Sequence, residues 1–251
     1  MALSKAAAEA LTRRLATRTS LASEELPILE TGDHLTRHEF ERRYNLTPEK
    51  VKAELIEGVV YMASPVRHKH HGKPHRQIIT WLGNYCDATP GTDCSDNATL
   101  RLDADNEPQP DVLLFIEEEA GGNVRVTEDD LLEGSPELIV EIAASSASID
   151  LHRKLHVYRR NGAQEYIVWR RKDNELDWLQ LQEGQYVHIQ PDAKGVIRSR
   201  VFPGLHLNVP ALLAGEMKKV QAELQRGLSS KAHTAFVKQL AKQTSAQKAR
   251  P

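Results

Sequence analysis

Two short apolar runs form the clearest hydrophobic pattern in the chain. Residues 112–116 read Val-Leu-Leu-Phe-Ile and residues 138–143 read Leu-Ile-Val-Glu-Ile-Ala. A near-continuous apolar run of this length is typical of a strand that is buried on both faces. The pattern therefore predicts two core strands, with Asp111 at the start of the first and Glu141 near the end of the second.

A third strand pattern lies upstream, where residues 54–56 and 59–62 flank the pair Glu57-Gly58. Two strands joined by two such residues predict a β-hairpin. Side chains alternate between the faces of a strand, so Glu54 shares a face with Ile56 and lies opposite Leu55. We therefore expect Glu54, rather than the turn residue Glu57, to point toward a shared site.

Helical and further strand patterns fill most of the remaining chain. Thr36-Arg37-His38-Glu39 has the form of a capping box that starts a short helix, and Ser145 or Ser146 can cap a helix with Leu151, Leu155 and Tyr158 on one face. Asn161-Gly162 would end that helix. Residues 68–75, which contain Gly72 and Pro74, predict a loop entering a helix, and residues 117–137 predict a loop or short helix. Strand patterns cover residues 93–102, 165–169, 178–181, 186–189 and 201–209. The order of elements predicts an α/β fold with a mixed central sheet flanked by helices.

The domain organisation follows from changes in composition along the chain. We expect a helical arm and linker over residues 1–32, the α/β domain over 33–213 and a basic helical extension over 214–251, with the last ~15 residues disordered. Residues 215–251 contain eight Lys or Arg against two acids. A stripe of Met217, Val220, Leu224 and Leu228 would pack either on the core or on a second copy of the chain, so a homodimer is one expectation.

Composition restricts the class of protein. The chain has 251 residues, 40% of them hydrophobic and 27% charged, which is an ordinary balance for a soluble protein. No stretch approaches the ~18 apolar residues that span a bilayer, and no apolar signal segment begins the chain, so we expect a cytoplasmic protein. Cys86 and Cys94 are too few for a disulfide framework and complete no zinc spacing.

Asp111 and Glu141 are the first candidates for chemistry. An ionised side chain within a buried strand requires a partner such as a metal ion or another cation. Two carboxylates and a backbone carbonyl such as that of Ile142 are the oxygen ligands that Mg²⁺ or Mn²⁺ prefers. The alternative is that Asp111 caps a turn after Pro110 and that Glu141 lies at a solvated strand end.

The order of these motifs resembles the PD-(D/E)XK nuclease superfamily and, more narrowly, the Uma-two family of bacterial endonucleases. The resemblance covers roughly residues 33–213, and it depends on order and spacing rather than on any single motif. Its features are Glu54-Leu55-Ile56-Glu57-Gly58, Ser64-Pro65, Gln109-Pro110-Asp111-Val112, Pro136-Glu137-Leu138-Ile139-Val140-Glu141-Ile142, Lys154-Leu155 with Tyr158, and Gly162 with Glu165-Tyr166.

The resemblance implies a restriction-endonuclease-like fold and Mg²⁺- or Mn²⁺-dependent hydrolysis of DNA. Asp111 and Glu141, with the carbonyl of Ile142, would be the metal ligands, and Glu54 an accessory acid. The superfamily places a lysine two residues after the glutamate, where this chain has Ala143. The resemblance implies that Lys154 replaces it from the following helix, with Asp111, Glu141 and Glu54 completing the catalytic set. The alternative for Lys154 is an ion pair with Asp150 on a solvated face.

Contacts with nucleic acid would have to come from local basic clusters, because the net charge of -2 gives no overall attraction. Arg67 and His68 best match the family's basic or histidine position after Ser-Pro, although a solvated loop remains the alternative. Arg153 belongs to a second cluster, and Arg170-Arg171-Lys172 form a third. We do not interpret residues 68–75 as a zinc site, because no Cys or acid completes a ligand set at helical spacing.

Two further functions remain open. A module that binds nucleic acid without cleaving it is favoured by Ala143, and a scaffold that dimerises through its C-terminal tail is a weaker third hypothesis.

Overall fold

The computed structural model describes residues 27–48, 51–63, 67–143 and 149–249. The main strands are β1 (Ala53–Ile56), β2 (Val59–Met62), β3 (Thr92–Asp96), β4 (Leu100–Arg101), β5 (Val112–Ile116), β6 (Arg125–Val126), β7 (Leu132–Glu133), β8 (Leu138–Glu141), β9 (Glu165–Arg170), β10 (Glu175–Gln182), β11 (Gln185–His188), β12 (Val196–Arg198) and β13 (His206–Asn208). The α-helices are α1 (Arg37–Tyr44), α2 (Lys73–Asp87), α3 (Leu155–Arg160), α4 (Val209–Leu213), α5 (Met217–Leu228) and α6 (Lys231–Lys248).

The central sheet has six strands in the order β11-β10-β9-β8-β5-β3. Strands β8 and β9 are parallel and the other neighbours are antiparallel, so the predicted mixed sheet is confirmed. The two apolar runs of the sequence become the adjacent strands β5 and β8. Every residue of β8 is buried.

Helices cover both faces of this sheet. Val112 and Val140 face the main core, to which α2 contributes Ile78 and Trp81. Residues on the opposite face, such as Ile139, pack in a second core with α3. The strands are apolar on both faces because neither face meets water.

The β1–β2 hairpin forms as predicted, with Glu57 and Gly58 both at positive φ (52° and 72°). This pair of left-handed residues is the geometry of a type I′ turn, whose twist matches that of the strands. Glu54 pairs with Tyr61 across the hairpin. Leu55 packs in a small third core with α1, whereas Ile56 belongs to the second core, so the predicted alternation is correct.

Helix α1 begins at the predicted cap, since Thr36 Oγ1 accepts a hydrogen bond from the Glu39 N–H. Helix α3 ends at Asn161, and Gly162 has a φ of 85°, which is the predicted helix stop. The candidate caps Ser145 and Ser146 lie outside the described residues, as does the helix predicted near the N-terminus.

The prediction of a loop over residues 68–75 is wrong. His68–Gly72 form a turn of π-helix that continues directly into α2. Pro74 does not interrupt it, because the first turn of an α-helix needs no N–H donor at that position. Ile149–Lys154 form a second π-helical turn, which leads into α3.

The strand predicted over residues 93–102 is interrupted. Asn97 has a φ of 50° and donates its N–H to the Asp111 carbonyl, so β3 ends before it and β4 starts a new, short strand. Residues 117–137 contain the short helical turn Glu118–Ala120 together with β6 and β7, which join β4 in a separate small sheet. Of residues 201–209, only β13 is a strand, and it pairs with β12 outside the central sheet.

The C-terminal helices belong to the main core. Val220 and Leu224 of α5 and Phe236 and Leu240 of α6 are buried there, so the apolar stripe packs on the core. The expected disorder of the last ~15 residues is wrong for those within α6, which extends to Lys248. None of the helices in the described part of the chain combines the length and apolar content needed to cross a bilayer.

Candidate active site

The two principal acids lie at the same end of the central sheet. Val112 of β5 pairs with Val140 of β8 in the antiparallel ladder, and Asp111 and Glu141 are the next residues beyond this pair. Asp111 is 8% and Glu141 3% exposed, so Glu141 does not lie at a solvated strand end.

Lys154 lies between two of the predicted acids. Its Nζ donates to Glu54 Oε1 at 2.8 Å and to Glu141 Oε1 at 2.9 Å. The residue is 4% exposed, so the alternative that placed it on a solvated face is wrong. The hairpin, β8 and the turn before α3 therefore converge through one buried ammonium group.

Further hydrogen bonds fix the two carboxylates beside Lys154. Glu54 Oε1 also accepts the backbone N–H of Gln109 at 2.7 Å, which links the hairpin to the segment that carries Asp111. The Tyr158 hydroxyl donates to Glu141 Oε1 at 2.8 Å. The sequence pattern alone marks Tyr158 as a packing residue, although it follows Lys154 at a spacing that places both on one face of a helix.

Asp111 is held by both its side chain and its backbone. Its Oδ2 accepts the N–H of Ile142 at 2.6 Å, and its Oδ1 lies 2.8 Å from Nε2 of His71. Its carbonyl lies 2.8 Å from Nε2 of His75. These contacts join Asp111 to the residue after β8 and to the two histidines of the helical segment 68–87, so Asp111 is not merely the cap of a local turn.

His71 and His75 were missed as site residues. Their i, i+4 spacing places them on one face once the segment is helical, but Gly72 and Pro74 concealed the helix. The spacing was the available signal. It indicates two side chains that reach a common target, which here is Asp111.

The chemistry of the donors at this edge fits a hard divalent cation. Two carboxylates and nearby backbone carbonyls supply oxygen, and a carboxylate has about four lone-pair positions, so the two hydrogen bonds to the Asp111 side chain leave capacity for an ion. Within residues 27–48, 51–63, 67–143 and 149–249, no three His, Cys, Asp or Glu side chains are grouped as a metal site. Ligation would therefore need Asp111, Glu141 and backbone oxygen such as that of Ile142.

The predicted nucleic-acid contacts lie on the surface around these groups. Arg67 and His68 are exposed at the start of the π-helical turn that leads to His71. Arg153 is exposed beside the buried Lys154, with its guanidinium carbon 5.9 Å from the ring centroid of Tyr61. Tyr61 is the cross-strand partner of Glu54, so Arg153 borders the site.

Glu165, another residue of the family motif, has a structural role, because it holds neighbouring segments together by hydrogen bonds. It is completely buried, and burial raises the pKa of its carboxyl group. It accepts hydrogen bonds from Trp178 Nε1, Ser199 Oγ and the Arg200 N–H. The bond from Trp178 joins β9 to β10, and the other two join β9 to the segment between β12 and β13.

Comparison with known proteins agrees with this arrangement. A solved structure of a protein described as a "putative nuclease belonging to DUF820", from Anabaena variabilis ATCC 29413, superposes with a TM-score of 0.57. It is 16% identical in sequence, and the match covers 72% of this chain and 98% of that one. At this identity the similarity establishes the restriction-endonuclease-like fold. No curated protein matches the chain.

The family model named Uma2, described as "Putative restriction endonuclease", matches residues 37–210. The match includes Glu54, Asp111, Glu141 and Lys154. It spans the central sheet and both helices that flank the site. This chain therefore belongs to the Uma2 family, within the PD-(D/E)XK superfamily.

Proposed function

We propose that the protein is a nuclease that hydrolyses phosphodiester bonds of DNA with Mg²⁺ or Mn²⁺ as its cofactor. Membership of a family of restriction-endonuclease-like proteins supports the nuclease activity. The observation that carries the proposal is the contact of Lys154 Nζ with both Glu54 and Glu141.

This contact offers a replacement for the missing lysine. Ala143 occupies the position two residues after Glu141 and is 1% exposed in the second core. Its methyl group has no proton to give and no charge. Lys154 brings an ammonium group to the same glutamate from the π-helical turn before α3. The chain therefore has both the acids and a lysine, but the lysine comes from a helical turn instead of the strand.

In the proposed reaction the residues divide the work. Asp111, Glu141 and the Ile142 carbonyl would hold the cation, and Glu54 would orient Lys154 or a water at the rim. A divalent cation at such a site polarises the scissile phosphate and lowers the pKa of a bound water. Lys154, fixed as an ammonium by two carboxylates, would orient the attacking water. Tyr158 would keep Glu141 in position.

DNA would be held by the exposed basic residues at the rim. Arg67 and His68 lie on the side of the site where α2 begins, and Arg153 lies on the side of the hairpin. Cations on two sides of an acidic centre would attract the phosphate backbone while leaving the centre open to a scissile bond.

A binding module without catalysis is the second candidate. Ala143 favours it, because the lysine of the standard pattern is absent from the strand. The same contacts of Lys154 also favour it, since an ammonium that neutralises Glu54 and Glu141 reduces the negative charge that would attract a cation.

Nicking of supercoiled DNA in Mg²⁺ or Mn²⁺ distinguishes the two candidates. We expect nicking by the unchanged protein and a loss of about 100-fold or more in Asp111→Asn and Glu141→Gln. Glu175→Gln is the matched control, because Glu175, the first residue of β10, is an exposed acid paired with Arg170 of β9. Equal nicking by all four proteins, or none by the unchanged protein on DNA, would contradict the proposal.

A further inference from the structure

A second cation lies at the same end of the sheet as the candidate active site, stacked on Trp169 of the main core, and takes no part in the proposed chemistry. The N–H of Arg171 donates to the Ala143 carbonyl at 3.0 Å, and the N–H of Ala143 donates to the Trp169 carbonyl at 3.0 Å. These bonds continue the pairing of β8 and β9 beyond Glu141. Arg171 therefore lies at the end of the sheet where Glu141 and Ile142 are found.

The side chain of Arg171 rests on the protein core. Its guanidinium carbon lies 4.4 Å from the ring centroid of Trp169, which is 1% exposed. Its Nε is enclosed and has no hydrogen-bond acceptor. The residue as a whole is only half-buried.

No carboxylate of the described residues forms an ion pair with Arg171. Its neighbour Arg170, by contrast, is paired with Asp173, Glu175 and Asp177. Burial without a counter-charge lowers the pKa of Arg171. A partly desolvated cation without a partner is unfavourable, and the imbalance is relieved when an anion binds from outside.

We propose that Arg171, seated on Trp169, binds a phosphate of the nucleic-acid backbone beside the cleavage site. This inference rests on the proposed function, and it selects one residue of the basic cluster 170–172, which the family motifs do not include. A guanidinium suits this task because its planar N–H groups match two phosphate oxygens. Stacking on a rigid indole holds the group in place before the ligand arrives.

DNA-binding measurements in a background that cannot cleave test the proposal. We would measure the anisotropy of a labelled DNA duplex with full-length Glu141→Gln protein over a series of salt concentrations. Adding Arg171→Gln should weaken binding about tenfold and reduce the salt slope by about one unit. Adding Arg171→Lys should keep the salt slope while losing part of the affinity.

Lys194→Gln is the control, because Lys194 is an exposed cation between β11 and β12 and lies outside the three basic clusters. It should bind within about threefold of the background protein, as expected for a charge that makes no fixed contact. Equal losses for Arg171→Gln and Lys194→Gln would overturn the inference, since a general electrostatic field would then explain both. An unchanged affinity in Arg171→Gln would also overturn it.

Failure of the proposed function has a different signature. If the unchanged protein binds no nucleic acid, inorganic phosphate is titrated against tryptophan fluorescence, since Trp169 lies under the guanidinium. A phosphate-dependent change that disappears in Arg171→Gln would support the anion site while removing the nuclease proposal. No change in the unchanged protein would overturn both.

Discussion

The ammonium group of Lys154 lies 2.9 Å from Oε1 of Glu141, although one residue ends a helical turn and the other ends a buried strand. Both side chains are buried. Lys154 supplies the positive charge next to Glu141, because the strand has Ala143 at the position where the superfamily has a lysine. The contact has consequences for both catalysis and stability.

Replacing Lys154 by Met should lower the rate of DNA cleavage by about 100-fold or more, because the attacking water would lose the group that orients it. It should also lower the free energy of unfolding by about 3–5 kcal/mol, because Glu141 and Glu54 would lose their buried counter-charge. Cleavage assays and urea denaturation measure the two effects. Lys194→Met, at an exposed lysine outside the basic clusters, should change neither, and normal cleavage by Lys154→Met would remove Lys154 from the mechanism.

Tyr158→Phe removes the hydroxyl that donates to Glu141 and keeps the aromatic ring. We expect Mn²⁺ affinity to fall about tenfold, because groups that orient a metal ligand have effects of this size. Tyr186→Phe is the matched control, since the Tyr186 hydroxyl donates to the Ala163 carbonyl, away from the site. Calorimetric titration with Mn²⁺ compares the two variants. Equal affinities would show that Tyr158 has only a packing role.

Glu107 predicts a pH dependence of stability. It is 2% exposed, its Oε2 has no hydrogen-bond partner and lies 4.0 Å from Nε of Arg101. Burial, with a further contribution from nearby Glu41, raises its pKa from 4.5 to about 8. A raised pKa in the folded state means that the stabilising contribution is complete below pH 4.5 and is lost as the pH rises through 8.

Glu107→Gln resembles the protonated form and should keep that contribution at all pH values. The variant should match the unchanged protein at pH ~4.5 and be more stable by about 1–3 kcal/mol at pH ~9, where the unchanged protein buries an unsatisfied carboxylate. Urea unfolding at both pH values measures this difference. Glu133→Gln, at a more exposed acid that pairs with Arg125, should show no such pH-dependent gain. A constant difference between Glu107→Gln and the unchanged protein would contradict the assignment.

The sequence was sufficient to predict the elements that carry the site. Burial on both faces leaves an unmistakable apolar run, so β5, β8 and the positions of Asp111 and Glu141 could be predicted. The two-residue period of the hairpin predicted the direction of Glu54. The role of Lys154 could be predicted only from the family resemblance, because its contact with Glu141 joins two elements whose relative position no local pattern specifies.

The remaining errors have local causes. Gly72 and Pro74 indicated a loop, but a π-helical turn and the first turn of α2 accommodate both residues, and this turn brings His71 to Asp111. The break at Asn97 depends on a left-handed residue whose N–H reaches the Asp111 carbonyl, which is a tertiary contact. Tyr158 fitted an apolar stripe, and the sequence did not show that its hydroxyl meets a buried acid.

Mn²⁺ binding is the most direct test of the central claim that Asp111 and Glu141 form one cation site. Calorimetric titration should show Mn²⁺ uptake by the unchanged protein and by Glu175→Gln, and its loss in both Asp111→Asn and Glu141→Gln, with circular dichroism confirming that each variant is folded. Uptake that persists in both site variants, or no uptake by the unchanged protein, would contradict the account.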